Sequence, residues 1–146
     1  MHENDFYDDL SGVLEQSWRL LEQAINDSTS PARTPVLISV SADGLAQGRT
    51  VVLRGFSRQQ RQLQIYTDVR SAKVAQLQAQ PTCTLVVYQP NPMIQLRLST
   101  SALVNQNNRI THDAWTEMPG PNCCNYLTDP DPGSISKTAT DGRPII

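Results

Sequence analysis

Between Pro35 and Leu98 the chain carries five short β-prone runs, and most of the breaks between them are too short for anything but a reversal. A parallel crossover needs a dozen or more residues, so neighbouring strands must run antiparallel. The runs are residues 35–41 (PVLISVS), about 48–56, 63–67, 82–88 and 94–98. In the third, Leu63, Ile65 and Thr67 share one face. In the last, Ile94, Leu96 and Leu98 face one way, and Gln95 and Arg97 the other. The run at 82–88 is nearly continuous in β-prone residues, which predicts a strand buried on both faces. Turn residues separate the runs: Ala42-Asp43-Gly44, the polar stretch 57–61, and Gln89-Pro90-Asn91-Pro92. The last strand can extend through Val104, with a bend at the polar residues 99–101.

Helices flank these strands. Leu10, Val13, Leu14, Trp18, Leu21 and Ile25 recur at spacings of three and four, one helical face. Asp8 and Asp9 suit the start of that helix, and Asn26-Asp27-Ser28 followed by Pro31 its stop. Trp18 fits the stripe as a packing residue. Asp68 is the expected N-cap of a short helix over about 69–80, with Val74 and Leu77 inward and Pro81 beyond its end. A third helix is expected at about 107–118, with Ile110, Ala114 and Met118 inward. Residues 1–7 are polar and expected to fray. Five strands with tight links and covering helices predict an α+β fold, mainly β: a small antiparallel barrel. The 146 residues suit one domain, here 1–118, followed by a tail at 119–146 that has four prolines by residue 132. That tail has no period and is expected to be ordered only where it packs on the barrel or on a partner. An apolar fraction of 38% and an aromatic fraction of 5% predict an aliphatic core of modest size.

Much chemistry is excluded. A net charge of −2 gives no global field for nucleic acid. Three cysteines, Cys83, Cys123 and Cys124, form no CxxC pair, so neither a disulfide framework nor a zinc site is expected. With no apolar leader and no long apolar run, the expectation is a cytoplasmic protein without a membrane partner. No Gly-rich phosphate loop or HExxH pattern occurs. His112 beside Asp113 makes no triad, and His112 reads as a surface or cap residue.

The cations at residues 49–73 stand apart. Arg49 opens a strand, Lys73 lies in the first turn of a helix, and Ser71 is two residues before it. A helix start offers free amides and partial positive charge, and a lysine, a hydroxyl and an arginine fork added there make a site for a phosphate dianion. The same residues also read as an exposed arginine and lysine on a solvated face.

The wording RTVVLRGF, then IYTDVRSAK, then Ile94-Gln95-Leu96-Arg97-Leu98 resembles the FMN signature of the pyridoxamine 5′-phosphate oxidase-like split-barrel family. The resemblance covers about residues 10–104. Trp18 and the pattern Trp115, Tyr126, Pro132-Gly133 resemble the branch of undefined substrate. The resemblance implies an FMN-binding split β-barrel that dimerises with the flavin at the subunit interface. It implies that Arg49 and Lys73 hold the FMN phosphate with help from Ser71. The backbone of Thr50, Val51, Val52 and Leu53 would run beside the isoalloxazine, with Arg54 near flavin and substrate. Tyr66 and Thr67 would meet the ribityl phosphate, and Gln95 the ring or ribityl chain. Against the true oxidase, Arg54 replaces a lysine and Ala72 a cation, and the substrate-phosphate ligands fall near Ala114, Met118 and Asn122, none of them basic. Pro144-Ile145-Ile146 does not resemble the family's next strand. Vitamin B6 oxidation is therefore not expected. The expected function is an FMN-dependent oxidoreductase of an unknown small molecule. The alternatives are a non-enzymatic flavin-binding or interaction module, or an inactive truncated copy.

Overall fold

The computed structural model describes residues 6–140 and 143. Residues 1–5 of the stretch expected to fray, and Pro144, Ile145 and Ile146, lie outside the described residues.

Helix α1 (Leu10–Ala24) starts where Asp9 accepts the amides of Ser11 and Gly12 at 3.1 and 3.0 Å. Its end is held by Arg33, which donates to the carbonyls of Ala24 and Ile25. Leu20, Leu21 and Ala24 are buried, and Trp18 stacks on Phe56 with ring centroids 5.9 Å apart. The apolar stripe does not pack along its whole length. Leu10 is 90% exposed and Leu14 54%, because the sheets begin only beneath the helix's second half.

Among the described residues six strands form, not five. β1 (Val36–Val40), β2 (Ala46–Thr50), β5 (Thr82–Gln89) and β6 (Ile94–Ser101) make an antiparallel sheet in the order β2-β1-β5-β6. β3 (Leu53–Ser57) and β4 (Gln62–Ile65) form a separate hairpin. The run expected at 48–56 breaks at Val51 and Val52. The Val51 amide still reaches the Pro35 carbonyl at 3.0 Å, then the chain turns a corner into the second sheet. Val51 and Leu53 are both buried at that corner. The β3–β4 ladder shifts register between Leu53 and Gly55, where a Cβ on Gly55 would lie 2.8 Å from Gln64 Oε1. β6 runs without interruption through Ser101, paired with Thr82, so the expected bend at 99–101 is absent.

β5 is buried on one face only. Cys83, Leu85 and Val87 point in, whereas Thr84 and Val86 are half-buried and Tyr88 is exposed. Burial on both faces was the expectation, but α1 and α2 (Ala72–Ala79) both cover the inner side. Leu20, Leu21, Ala24, Leu53 and Val87 pack under α1, and Leu37, Val51, Leu77, Cys83 and Leu85 pack by α2. Among the described residues, β4 pairs only with β3, and β6 only with β5. A cleft of about 1240 Å³ lies along this seam, lined by Leu63, Ile65 and Leu85, by Trp115 of α3 (Arg109–Glu117) and by Met118 just beyond that helix. The split barrel is therefore open here. α3 begins with a reciprocal cap between Asn108 and Thr111 and has no buried residue. Ile110, expected inward, is exposed on the cleft wall. Beyond α3 the chain makes a four-residue helix, α4 (Gly120–Cys123), and a single 3₁₀ turn (Cys124–Tyr126).

Candidate functional site

Directly opposed residues in an antiparallel ladder share a face. Arg49 opposes Leu37, Leu37 opposes Leu85, and Leu85 opposes Leu98, so Arg49 projects to the inner side of the sheet. There its guanidinium meets α2. Arg49 Nη1 donates to Ser39 Oγ at 2.7 Å and to the Leu37 carbonyl at 3.3 Å, while Nη2 reaches Gln76 Oε1 at 3.4 Å. Ser39 is fully buried and donates to the same Gln76 oxygen at 2.6 Å. Gln76 Nε2 in turn donates to Gln47 at 2.9 Å. One turn earlier on α2, Lys73 Nζ donates to Ser71 Oγ at 2.9 Å.

Arg49 and Lys73 thus stand as neighbouring cations, and among the described residues neither has a carboxylate in an ion pair. Burial holds the Lys73 ammonium below its ordinary pKa, repulsion from Arg49 pushes it further down, and Asp68 partly opposes both. Burial also lowers the Arg49 guanidinium. Two half-buried like charges without a counter-charge are relieved by an anion. The pre-set fork of Arg49 and the lysine at a helix start suit the spread oxygens of a phosphate.

Ser71, not Asp68, is the N-cap residue of α2. The Asp68 carboxylate is occupied elsewhere, accepting the Arg70 amide at 2.8 Å and the Arg70 guanidinium, and that charge-assisted bond holds its pKa below the usual range. Ser39, Gln76 and Gln47 were not singled out from the sequence. Two signals could have found the first two. Ser39 is a polar residue in an inward position beside Leu37, and Gln76 follows Lys73 by three residues on one helix face.

The remaining candidates divide. The side chains of Val51 and Leu53 are buried in the core, so only their backbone can face a ligand; Val52 is half-buried and Thr50 exposed. Arg54 lies 6.0 Å from the centre of the Tyr66 ring, and its Nε is buried without a hydrogen-bond partner. Tyr66 and Thr67 line the cleft together with Lys73. Gln95 is the outlier. It opposes Tyr88 on the outer face of the sheet, exposed, on the far strand from Arg49. His112 is exposed beside Asp113, as its surface reading requires.

A profile of the pyridoxamine 5′-phosphate oxidase FMN-binding domain matches residues 15–106. The chain belongs to this family. Every residue of the FMN signature, from Arg49 to Gln95, falls within the matched segment. Among solved structures, the chain is similar to a pyridoxamine 5′-phosphate oxidase-related, FMN-binding protein from Nostoc punctiforme PCC 73102. The TM-score is 0.68 at 26% identity, over 90% of this chain and 73% of the other. It shares its fold with PhzG from Burkholderia lata 383, solved with tetrahydrophenazine-1-carboxylic acid, at a TM-score of 0.69 and 14% identity. That match covers 91% of this chain but 65% of PhzG, so the chain spans just under two thirds of that relative. No curated protein matches the chain. As in its relatives, the family's split barrel here is an α+β fold of antiparallel sheets with an N-terminal helix.

Proposed function

We propose that this chain binds FMN and acts as an FMN-dependent oxidoreductase on a small molecule, as a homodimer with the flavin at the subunit interface. The observation that carries the reading is the pair Arg49 and Lys73, neighbouring cations of which neither is in an ion pair with a carboxylate among the described residues. The buried, unpartnered Nε of Arg54 adds a second donor awaiting an acceptor. The residues present therefore fit the group. Arg49, Lys73 and Ser71 would hold the phosphate, with Tyr66 and Thr67 beside the ribityl chain. The backbone of Thr50, Val51, Val52 and Leu53, together with Arg54, would face the ring. Bound FMN supplies the redox chemistry, and the protein supplies orientation and charge.

The place of Gln95 supports the homodimer. Within one subunit Gln95 and Arg49 face opposite sides of the sheet, separated by two strands. One flavin can meet both only if Gln95 comes from a second copy. The outer face around it is partly apolar, with Val36, Ile38 and Val86 half-buried and Tyr88 exposed. No helix among the described residues is long and apolar enough to cross a membrane. The free thiols of Cys83, Cys123 and Cys124 fit a reducing compartment, and we place the protein in the cytoplasm.

FMN affinity should depend on pH at both ends. It should rise between about pH 5 and 7, as the phosphate loses its second proton near pH 6. On the alkaline side the sign follows from Lys73, whose pKa lies below that of an ordinary lysine. Its ammonium is fully present below that pKa and lost above it, so affinity falls as pH rises, earlier than an ordinary lysine would dictate. A fluorescence titration across pH checks this. Lys73→Met should abolish the alkaline fall, and an alkaline fall that persists in Lys73→Met counts against the assignment.

A second reading is binding without turnover. It is favoured by Ala114, Met118 and Asn122, which offer no cation at the positions matching the oxidase's substrate-phosphate ligands. FMN-dependent oxidation of NADH or NADPH by the purified protein decides for the enzyme, and its absence across a metabolite panel decides for the binding module.

A further inference from the structure

Arg70 joins two parts of the chain that the sequence keeps far apart. Its Nε and Nη2 grip the Asp68 carboxylate at 3.0 and 2.7 Å, and Asp68 in turn accepts the Arg70 amide at 2.8 Å. The other edge of the fork faces the Pro-rich segment. Nη2 donates to the carbonyl of Thr128 at 2.8 Å and to its hydroxyl at 3.2 Å, and Nη1 donates to the Asp129 carbonyl at 3.2 Å. The Asp131 carboxylate lies 3.5 Å from Nη1. Every guanidinium nitrogen is thus engaged, so Arg70 is not itself free to bind a phosphate.

We propose that Arg70 is a positioning residue for the FMN phosphate. It clamps residues 128–131 onto the turn before α2 and keeps the Asp68 carboxylate away from Lys73. The inference rests on the reading that the phosphate sits between Arg49 and Lys73. Two links carry it. The first is mechanical: the clamped turn runs straight into Ser71, whose amide donates to the Asp68 carbonyl at 3.0 Å and whose hydroxyl receives the Lys73 ammonium. The second is electrostatic. The Asp68 side chain is only 12% exposed and already acts on Lys73, so without its arginine it is a carboxylate that competes with the phosphate for that ammonium. A lysine at position 70 keeps the charge but cannot grip Asp68 and two backbone carbonyls at once. By linkage, FMN must also steady residues 128–131 by as much as the clamp strengthens FMN.

The test is FMN titration of the wild type, Arg70→Ala, Arg70→Lys and the double variant Asp68→Ala/Arg70→Ala. It is combined with amide hydrogen exchange over residues 124–134, with and without FMN, and thermal melting to confirm folding. Arg70→Ala should bind FMN about tenfold more weakly, with Arg70→Lys between it and the wild type. The double variant should recover part of the loss, because the competing carboxylate is gone. In the wild type, FMN should slow exchange at 124–134, and Arg70→Ala should speed it. An Arg70→Ala affinity within about twofold of the wild type overturns the proposal. A double variant as weak as Arg70→Ala overturns the role given to Asp68. Failure of the wild type to take up FMN overturns instead the flavin reading on which the proposal rests.

Discussion

Arg49→Ala is expected to weaken FMN binding by about 1.5–3 kcal/mol, roughly 10- to 150-fold, the scale of a hydrogen bond to a charged group. Lys73→Ala should cost about as much. The two share one ligand, so the double variant need not show the sum. It should show no measurable uptake at micromolar protein. The fold should survive these changes, because the buried bond from Ser39 to Gln76 at 2.6 Å does not need the arginine. Arg49→Lys should not restore affinity fully. The arginine is aimed by contacts to Ser39, Leu37 and Gln76 that hold a planar fork, and an ammonium cannot reproduce it. Fluorescence quenching of FMN reads all four variants, with circular dichroism as the folding control. Unchanged affinity in both single variants would remove the phosphate from this site.

Leu53→Ala should destabilise the fold by about 2–5 kcal/mol. Leu53 is fully buried where the chain passes from the larger sheet into the hairpin, and it packs with Leu20 and Leu21 of α1 and with Val87 of β5. The cavity therefore opens between three elements that cannot close on it together. Leu10→Ala makes the contrast. Leu10 belongs to the same sequence stripe as Leu21, but it is 90% exposed, and its loss should stay within about 0.5 kcal/mol. Urea unfolding midpoints of the two variants separate them. Equal effects would mean that the first turns of α1 pack on something in the free protein.

The contrast between Leu10 and Leu21 shows how far pattern reaches. Periodicity identified the helix but carried no information on where the sheets lie beneath it. The same holds for β5, where a continuous run of β-prone residues gave one buried face and one half-open face. The corner at Val51 and Val52 was hidden because both residues are as β-prone as the strands on either side. Only the Pro35 carbonyl, met across space, marks the break. Asp68 was misplaced for a related reason. Its residue type favours an N-cap, but a local contact with Arg70, two residues on, took its carboxylate instead. In the site, Arg49, Ser71 and Lys73 stood out because charge and hydroxyl near a helix start have a direct reason to cluster. Ser39 and Gln76 did not, since their value lies in aiming Arg49 from 10 and 27 residues away along the chain. Arg70 was passed over because its partners Thr128 and Asp129 lie 58 and 59 residues downstream, in a tail without pattern.

The most direct test is a side-by-side equilibrium titration of the protein with FMN and with riboflavin, which has the same ring and ribityl chain but no phosphate. If Arg49 and Lys73 hold the phosphate, FMN should bind at least about 100-fold more tightly. Equal affinities for the two flavins, or uptake of neither, would contradict the account.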